Sequence, residues 1–349
     1  MRILYVQINN DYSGSSYALK SIIESHNVAK KVLMTSYESQ GFLTDCEVSE
    51  SIDIPYKFKG MSLATICDLF RNWSKGAKAF IREHKQNPFD IVYLNAISPW
   101  HIAIPAKILG VKVIYHVHEF YAKPNFLIKF YLYVMRITAN KLIYVSEFCR
   151  SQYSLLNAAR KGIGEEIQFT PIRYKTREEN DLDVTQKLNG PIIMICSPKK
   201  YKGVEKFMDL ARVLPNRKFK LFISQRYEFK TDLPRNVEIL LGKTELQQEL
   251  FDASLLLNLS QSPDWIETFG LTIWESLSQG TPVIVPDIGG PVEIVNVSCG
   301  KSVDVRNIEL VVSAINEIFV DYGRYSAFCS ESLKQSQYLK SKYPIVSPE

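Results

Sequence analysis

Short apolar runs alternate with longer amphipathic stretches along this chain. Residues 3–8 read as a buried strand, 9–16 as a polar loop and 17–25 as a helix. Residues 63–86 repeat apolar positions at helical spacing (Leu63, Ile66, Leu69, Phe70, Trp73, Ala77, Phe80 and Ile81), and Pro88 stops that helix. A strand over 89–94, a helix over 102–109, a strand over 111–117, a helix over 126–138 and a strand over 142–145 follow. Strands and helices in strict alternation, with short connections, predict a parallel sheet covered on both faces.

Residues 171–190 break the rhythm. They are polar, charged and flanked by proline, the composition of a linker between domains. A second series then begins, with strands over 192–196, 220–223 and 237–240 and helices over 204–213 and 246–252. A strand over 255–258, a helix over 271–279 and a strand over 282–285 continue it. The expected fold class is α/β, with two Rossmann-like doubly wound domains facing across a cleft. The first spans 1–170, the linker 171–190, and the second 191–349, with a helical C-terminal tail. A length of 349 residues suits two such domains.

Composition refines this picture only at the margins. Apolar residues make up 46% and charged residues 23%, which argues against any long disordered stretch. The net charge of +5 is uneven: residues 1–170 hold 20 Lys/Arg against 14 Asp/Glu, and the remainder 22 against 23. A basic first half fits phosphate groups or an anionic membrane surface as a partner, and equally a solvated lysine-rich surface. The six cysteines form no Cys-x-x-Cys pair, which argues against a zinc site and a disulfide scaffold. No signal-peptide pattern and no apolar stretch of membrane-spanning length is visible, so the expected compartment is the cytoplasm.

Four segments carry candidate chemistry. In 267–295, Glu267 precedes and Glu275 follows a helix start at Thr268, Phe269, Gly270 and Leu271. The unsatisfied N–H groups and dipole of a helix start favour phosphate. A carboxylate on either side then suits a ligand with hydroxyls at its ends and phosphate in the middle, as in a nucleoside-diphosphate sugar. Gly280–Thr281–Pro282 forms a tight turn into the next strand, and Gly289–Gly290 is a second flexible loop at the sheet edge of the helix start. In 196–207, Lys199, Lys200 and Lys202 cluster on a loop entering a helix, where cations would neutralise a leaving diphosphate. In 115–120, His118 with Glu119 and His116 ends a strand, the edge at which open α/β sheets bind ligands. In 9–19, Gly14 among serines precedes a helix and permits close approach of a phosphate or sugar, but no G-x-G-x-x-G supports a nicotinamide or flavin site.

Two further patterns carry nothing. Asp181 and Asp183 match the D-x-D of metal-dependent glycosyltransferases but fall in the linker, not after a buried strand. Gly162–Ile163–Gly164 lacks a third glycine.

The E-x7-E spacing of Glu267 and Glu275 around Phe269–Gly270–Leu271 resembles the donor-site signature of retaining glycosyltransferase family 4. The likeness extends through Gly280–Thr281–Pro282–Val283, Gly289–Gly290 and Glu293. It also takes in Lys202–Gly203, the Gly14 loop and His118. The resemblance implies the GT-B architecture, with acceptor on the first domain and nucleotide sugar on the second. It further implies retention of anomeric configuration and no required metal or cofactor. By that resemblance Glu275 holds the ribose, Glu267 contacts the transferred hexose, the 268–271 backbone and Lys202 bind phosphate, and Gly14 lies in a donor-binding loop, while Lys199 or Lys200 is expected to supply the charge of the missing arginine. His118 joins Glu267 as catalytic. The chain departs from the family at Ser197, where an arginine is usual, in its single glycine at Gly14, and at Pro171–Ile172–Arg173, where Asn–Gly is usual.

The resulting expectation is a glycosyltransferase that moves a hexose to a glycan or lipid-linked acceptor in surface-polysaccharide or glycolipid assembly, with no nucleic-acid partner. An epimerase or phosphorylase on the same fold, or a catalytically silent binding partner, are the alternatives. Residues 124–141 combine an aromatic apolar face with Lys129, Arg136 and Lys141, which predicts peripheral contact with anionic bilayers at the inner face of the membrane; an ordinary sheet-covering helix is the other reading.

Overall fold

The computed structural model describes residues 1–36, 40–54, 63–121, 124–156, 162–243, 245–260 and 265–345, with the backbone alone over 63–70. The expected apolar side chains of Leu63, Ile66, Leu69 and Phe70 therefore lie outside the described residues. The chain divides into two compact units, Met1–Pro171 and Ile172–Pro344, with Ile345 grouped with the first.

In the first unit, β1 (Arg2–Val6), α1 (Gly14–Ser25), β2 (Lys30–Ser36), β3 (Glu50–Ile54), α2 (Leu63–Gln86) and β4 (Ile91–Leu94) come in order. After them come α3 (Trp100–Ile108), β5 (Lys112–Val117), α4 (Phe126–Thr138), β6 (Lys141–Tyr144), α5 (Glu147–Leu155) and β7 (Gly164–Ile167). The sheet is parallel throughout, in the order β3-β2-β1-β4-β5-β6-β7. Strands β1 and β4 are buried along their whole length, as continuous apolar runs in a doubly covered sheet should be. Asn125 and Ser146 start α4 and α5 by accepting hydrogen bonds from Ile128 N at 2.9 Å and Cys149 N at 3.0 Å.

The second unit contains α6 (Val184–Leu188), β8 (Ile192–Cys196), α7 (Val204–Val213), β9 (Phe219–Ile223), β10 (Val237–Leu241), α8 (Gln247–Asp252) and β11 (Leu255–Leu257). Next are α9 (Leu271–Ser278), β12 (Val283–Pro286), α10 (Pro291–Ile294), β13 (Gly300–Val303), α11 (Ile308–Ile318) and α12 (Tyr322–Lys342). Its parallel sheet runs β10-β9-β8-β11-β12-β13. Both units thus have the doubly wound α/β fold expected. In each, the strand order reverses beside the first strand of the unit, which places the switch point at β1/β4 and at β8/β11.

The polar stretch after Pro171 differs from a free linker. Leu182, Val184 and Leu188 pack against the core of the second unit, and Lys187 is buried there with its Nζ 2.6 Å from Thr281 Oγ1. Amphipathic spacing too short to register as a helix explains why the segment reads as polar. Asp181 and Asp183 are spent on local capping: Asp181 Oδ2 accepts from Glu178 N at 3.3 Å, and Asp183 starts α6 by accepting from Gln186 N at 2.9 Å. Among the described residues, Cys46, Cys149, Cys196, Cys299 and Cys329 are free thiols. No described helix is long and apolar enough to cross a membrane.

Candidate active site

In the second unit the candidate groups collect beyond the carboxyl ends of β8 and β11. The turn after β8 carries Lys199, Lys200 and Lys202; Lys199 and Lys200 are exposed. Lys202 reaches Glu267, with Nζ 2.5 Å from Oε2. Ser260 Oγ at 3.0 Å and Trp265 Nε1 at 3.4 Å donate to the same oxygen. The Trp265 ring stacks on Tyr201 at 5.0 Å between centroids and lies 5.1 Å from Lys202 Nζ. Burial pushes the Glu267 carboxyl upward, but Lys202 and the Ser260 and Trp265 donors outweigh it and hold the group below the usual carboxylate range. Glu267 is therefore ionised at neutral pH.

Glu267 enters a loop whose path depends on glycine. Gly290 N donates to Glu267 O at 2.9 Å, and a Cβ on Gly290 would lie 2.0 Å from Thr268 O. Gly270 then starts α9 with φ 105°, a left-handed conformation that suits glycine. Phe269 is buried against Trp274, with centroids 6.3 Å apart, so Thr268–Leu271 offers backbone rather than an aromatic face. Gly270 O accepts from Ile273 N at 2.9 Å, and the N–H groups at such a helix start, with its dipole, favour an anion.

Glu275 lies within α9 and is fully buried, unlike the open cleft-wall position its proposed ligand contact would suggest. Arg173 holds it in a two-pronged pair, Nε to Oε1 at 2.6 Å and Nη2 to Oε2 at 2.7 Å, and Arg173 N adds a contact to Oε1 at 3.3 Å. Arg173 stands where the family-like pattern departs at Pro171–Ile172–Arg173, and nothing in its spacing announced this partner 102 positions away. An open hollow of about 270 Å³, lined by Asp287, Asp304, Arg306 and Ser260 among others, shares Ser260 with Glu267.

In the first unit His118 sits one residue past β5, as its place after a strand implies. Its Nε2 is 2.8 Å from Asn95 Oδ1, just after β4, and its ring is 4.1 Å from His116. Burial lowers the His118 pKa to about 3, so the ring is neutral at neutral pH. His116 is deeper, bonded through Nδ1 to Tyr93 OH at 3.0 Å, and burial, then His118 and His26, push its pKa down. It belongs to the core. Burial raises the Glu119 carboxyl to about 7 against the backbone N–H groups that bond it. Gly14 begins α1 with open space where a Cβ would stand. Asp11 already faces that helix start, its Oδ1 accepting from Ser13 N at 3.0 Å, from Ser16 Oγ at 2.8 Å and from Ser13 Oγ. A carboxylate at this helix start opposes the approach of a phosphate, contrary to what the resemblance implies for the Gly14 loop. Asn95, Gln7 and Ser260 escaped the sequence reading because lone polar residues after strands carry no spacing signal.

Residues 190–335 match the family model of glycosyl transferases group 1. Over 66 residues, 19% of this chain, the sequence is 38% identical to a probable sucrose-phosphate synthase 5 of Oryza sativa subsp. japonica, and the match spans only 6% of that relative's length. Among solved structures, Anabaena Alr3699/HepE in complex with UDP superposes with a TM-score of 0.75 at 16% identity, covering 99% of this chain and 96% of that one. The same protein in complex with UDP-glucose gives 0.75 at 14% identity, with 99% and 96% covered. A sucrose-phosphate synthase from Thermosynechococcus elongatus gives 0.72 at 15% identity, with 97% and 94% covered. The fold of the whole chain is that of GT-B glycosyltransferases, and the match to the glycosyl transferases group 1 model falls within its second unit.

Proposed function

We propose that this protein is a retaining, metal-independent glycosyltransferase that moves a hexose-type sugar from a nucleoside-diphosphate sugar to an acceptor hydroxyl in surface-polysaccharide or glycolipid assembly. The observation that carries the reading is the start of α9, flanked by Lys202–Glu267 before it and Arg173–Glu275 within it. The helix start and Lys199 and Lys202 receive the diphosphate. Glu267 is ionised, and its contacts fall on Oε2, so Oε1 is the oxygen they leave for the hexose. As the bond from the anomeric carbon to phosphate oxygen lengthens, positive charge grows on the sugar beside that carboxylate and negative charge on the diphosphate beside the cations. Glu275 takes the ribose hydroxyls once they compete with Arg173. His118 is assigned to sugar chemistry as a neutral imidazole. UDP and UDP-glucose, which HepE binds in its crystals, are the first donors to try.

The acceptor side of the reading rests on α4. Phe126 is 88% and Tyr133 61% exposed, with Leu127 and Ile137 also outward and Lys129 and Arg136 beside them, whereas Tyr131, Leu132, Val134 and Met135 face the core. An outward aromatic and basic stripe fits peripheral docking on an anionic bilayer that carries a lipid-linked acceptor.

Nucleoside-diphosphate release from a panel of UDP-, GDP- and ADP-sugars tests the reading. Release from at least one donor that persists in excess EDTA is expected. Chelation that stops it, with recovery on Mn²⁺ or Mg²⁺, overturns metal independence, and no release from any donor supports the silent-partner alternative. A bound nucleotide at 100 times its Kd should add about 2.7 kcal/mol to stability, visible as a thermal shift.

A further inference from the structure

Two backbone carbonyls decide the orientation of every amide in the hydrogen-bond chain that ends at His118. The Asn9 carbonyl can only accept, so the Gln7 atom 3.1 Å from it is Nε2, and Gln7 Oε1 turns to Asn95. The Ser15 carbonyl can only accept as well, so the Asn95 atom 2.9 Å from it is Nδ2. That nitrogen carries two hydrogens, and Ser15 O and Gln7 Oε1, the latter at 2.6 Å, take both. Asn95 Oδ1 is therefore the acceptor presented to His118 Nε2 at 2.8 Å, and Nε2 must hold the proton.

We infer that Asn95 and Gln7 are positioning residues that lock His118 in its Nε2–H form, so that Nδ1 is the ring's acceptor and engages only groups that donate a hydrogen. A neutral imidazole has one N–H, and burial keeps this ring neutral, with the buried and also uncharged His116 ring alongside it. A phosphate oxygen has no hydrogen to give at neutral pH, and two acceptors repel. A ligand group that engages Nδ1 must therefore donate, as a hydroxyl of the transferred sugar or of the acceptor does. This consequence rests on the assignment of His118 to sugar chemistry; the tautomer itself does not.

Full-length protein with ¹⁵N-labelled histidine, observed by long-range ¹H–¹⁵N correlation at pH 7 and assigned by loss of signal in His118→Gln, reads the tautomer without substrate. The expected pattern has Nε2 protonated and Nδ1 unprotonated. Asn95→Leu should relax it towards a mixture of tautomers and lower turnover by about tenfold or more, with the donor KM changed by less than about threefold. If Asn95→Leu does not fold, Gln7→Leu removes the outer half of the lock and should shift the same signals less. A wild-type ring protonated on Nδ1 overturns the lock whether or not the chain transfers sugar. A pattern unchanged in Asn95→Leu overturns Asn95 as its cause. Relaxed tautomers with unaltered turnover uphold the lock and overturn the assignment of His118 to the reaction.

Discussion

Around His118 the first unit is held by neutral amides and an uncharged imidazole, and its nearby carboxyl, Glu119, is pushed up to about 7. At α9 the second unit instead holds four formal charges in two close pairs. Ion pairs can exchange partners with a charged ligand at modest net cost, because the ligand replaces the attraction that it displaces. A neutral network cannot compensate a charge, but it fixes the direction of each hydrogen bond and so selects among hydroxyls. Under the proposed function the two edges would then serve different parts of the reaction: diphosphate and ribose on the second, sugar or acceptor hydroxyls on the first.

The comparison breaks first at the glutamates. Glu267→Ala should lower kcat by about 100- to 1000-fold with a smaller change in donor KM, because its carboxylate acts on charge that develops in the transition state. A KM-only defect in steady-state kinetics makes Glu267 a binding residue. Glu275→Ala should raise the donor KM by about 10- to 1000-fold and kcat should fall less. It should also cost about 3–5 kcal/mol in urea unfolding, since it strands a largely buried Arg173 guanidinium. Pairing Glu275→Leu with Arg173→Met should recover most of that stability and none of the donor binding. Recovered binding would remove Glu275 from the ribose.

Glu119 sharpens the contrast from the neutral side. Its folded pKa of about 7 lies above the unfolded value of about 4.3, so the folded state binds the proton more tightly. Its contribution is fully present below about pH 4 and is lost as pH rises to about 7. Glu119→Gln should therefore be more stable than the parent at pH 8 by of order 1–3 kcal/mol, with no difference near pH 4. Equal stabilities at pH 8 by urea titration would show that Glu119 does not carry the charge penalty that sets this edge apart.

The smallest effect on the fold belongs to α4. Phe126→Ser with Tyr133→Ser should change stability by no more than about 0.5 kcal/mol per site, as both side chains are exposed. The same change should weaken low-salt co-sedimentation with anionic vesicles. Parent protein that stays in the supernatant makes α4 a sheet cover alone.

Much of this molecule was legible without coordinates. Continuous apolar runs such as Ile91–Leu94 and helical periods such as that of α7 announce their elements, because burial on both sheet faces leaves a strand little choice of residue. The strands β2 and β3 did not register, since exposed lysine and glutamate at their ends dilute the pattern near the sheet edge. The segment after Pro171 reads as a linker because its few apolar side chains are spaced by charged ones, although Leu182 and Val184 pack into the second core.

Glu267, Gly270 and Glu275 stand close in sequence around one helix start, so a local pattern is enough to place them. Lys202 comes 65 positions before Glu267 and Arg173 comes 102 before Glu275, and Asn95 meets His118 from the neighbouring strand. Parallel strands bring their carboxyl ends together only after crossovers of many residues, so such partners leave no periodicity to read. The sequence by itself determined many of the elements, the two parallel-sheet units and the glutamate-flanked helix start. Only the tertiary structure decided that Glu275 is buried beneath Arg173, that Lys202 is paired, and which nitrogen of His118 holds its proton, because each depends on a distance across the sheet edge and not on spacing along the chain.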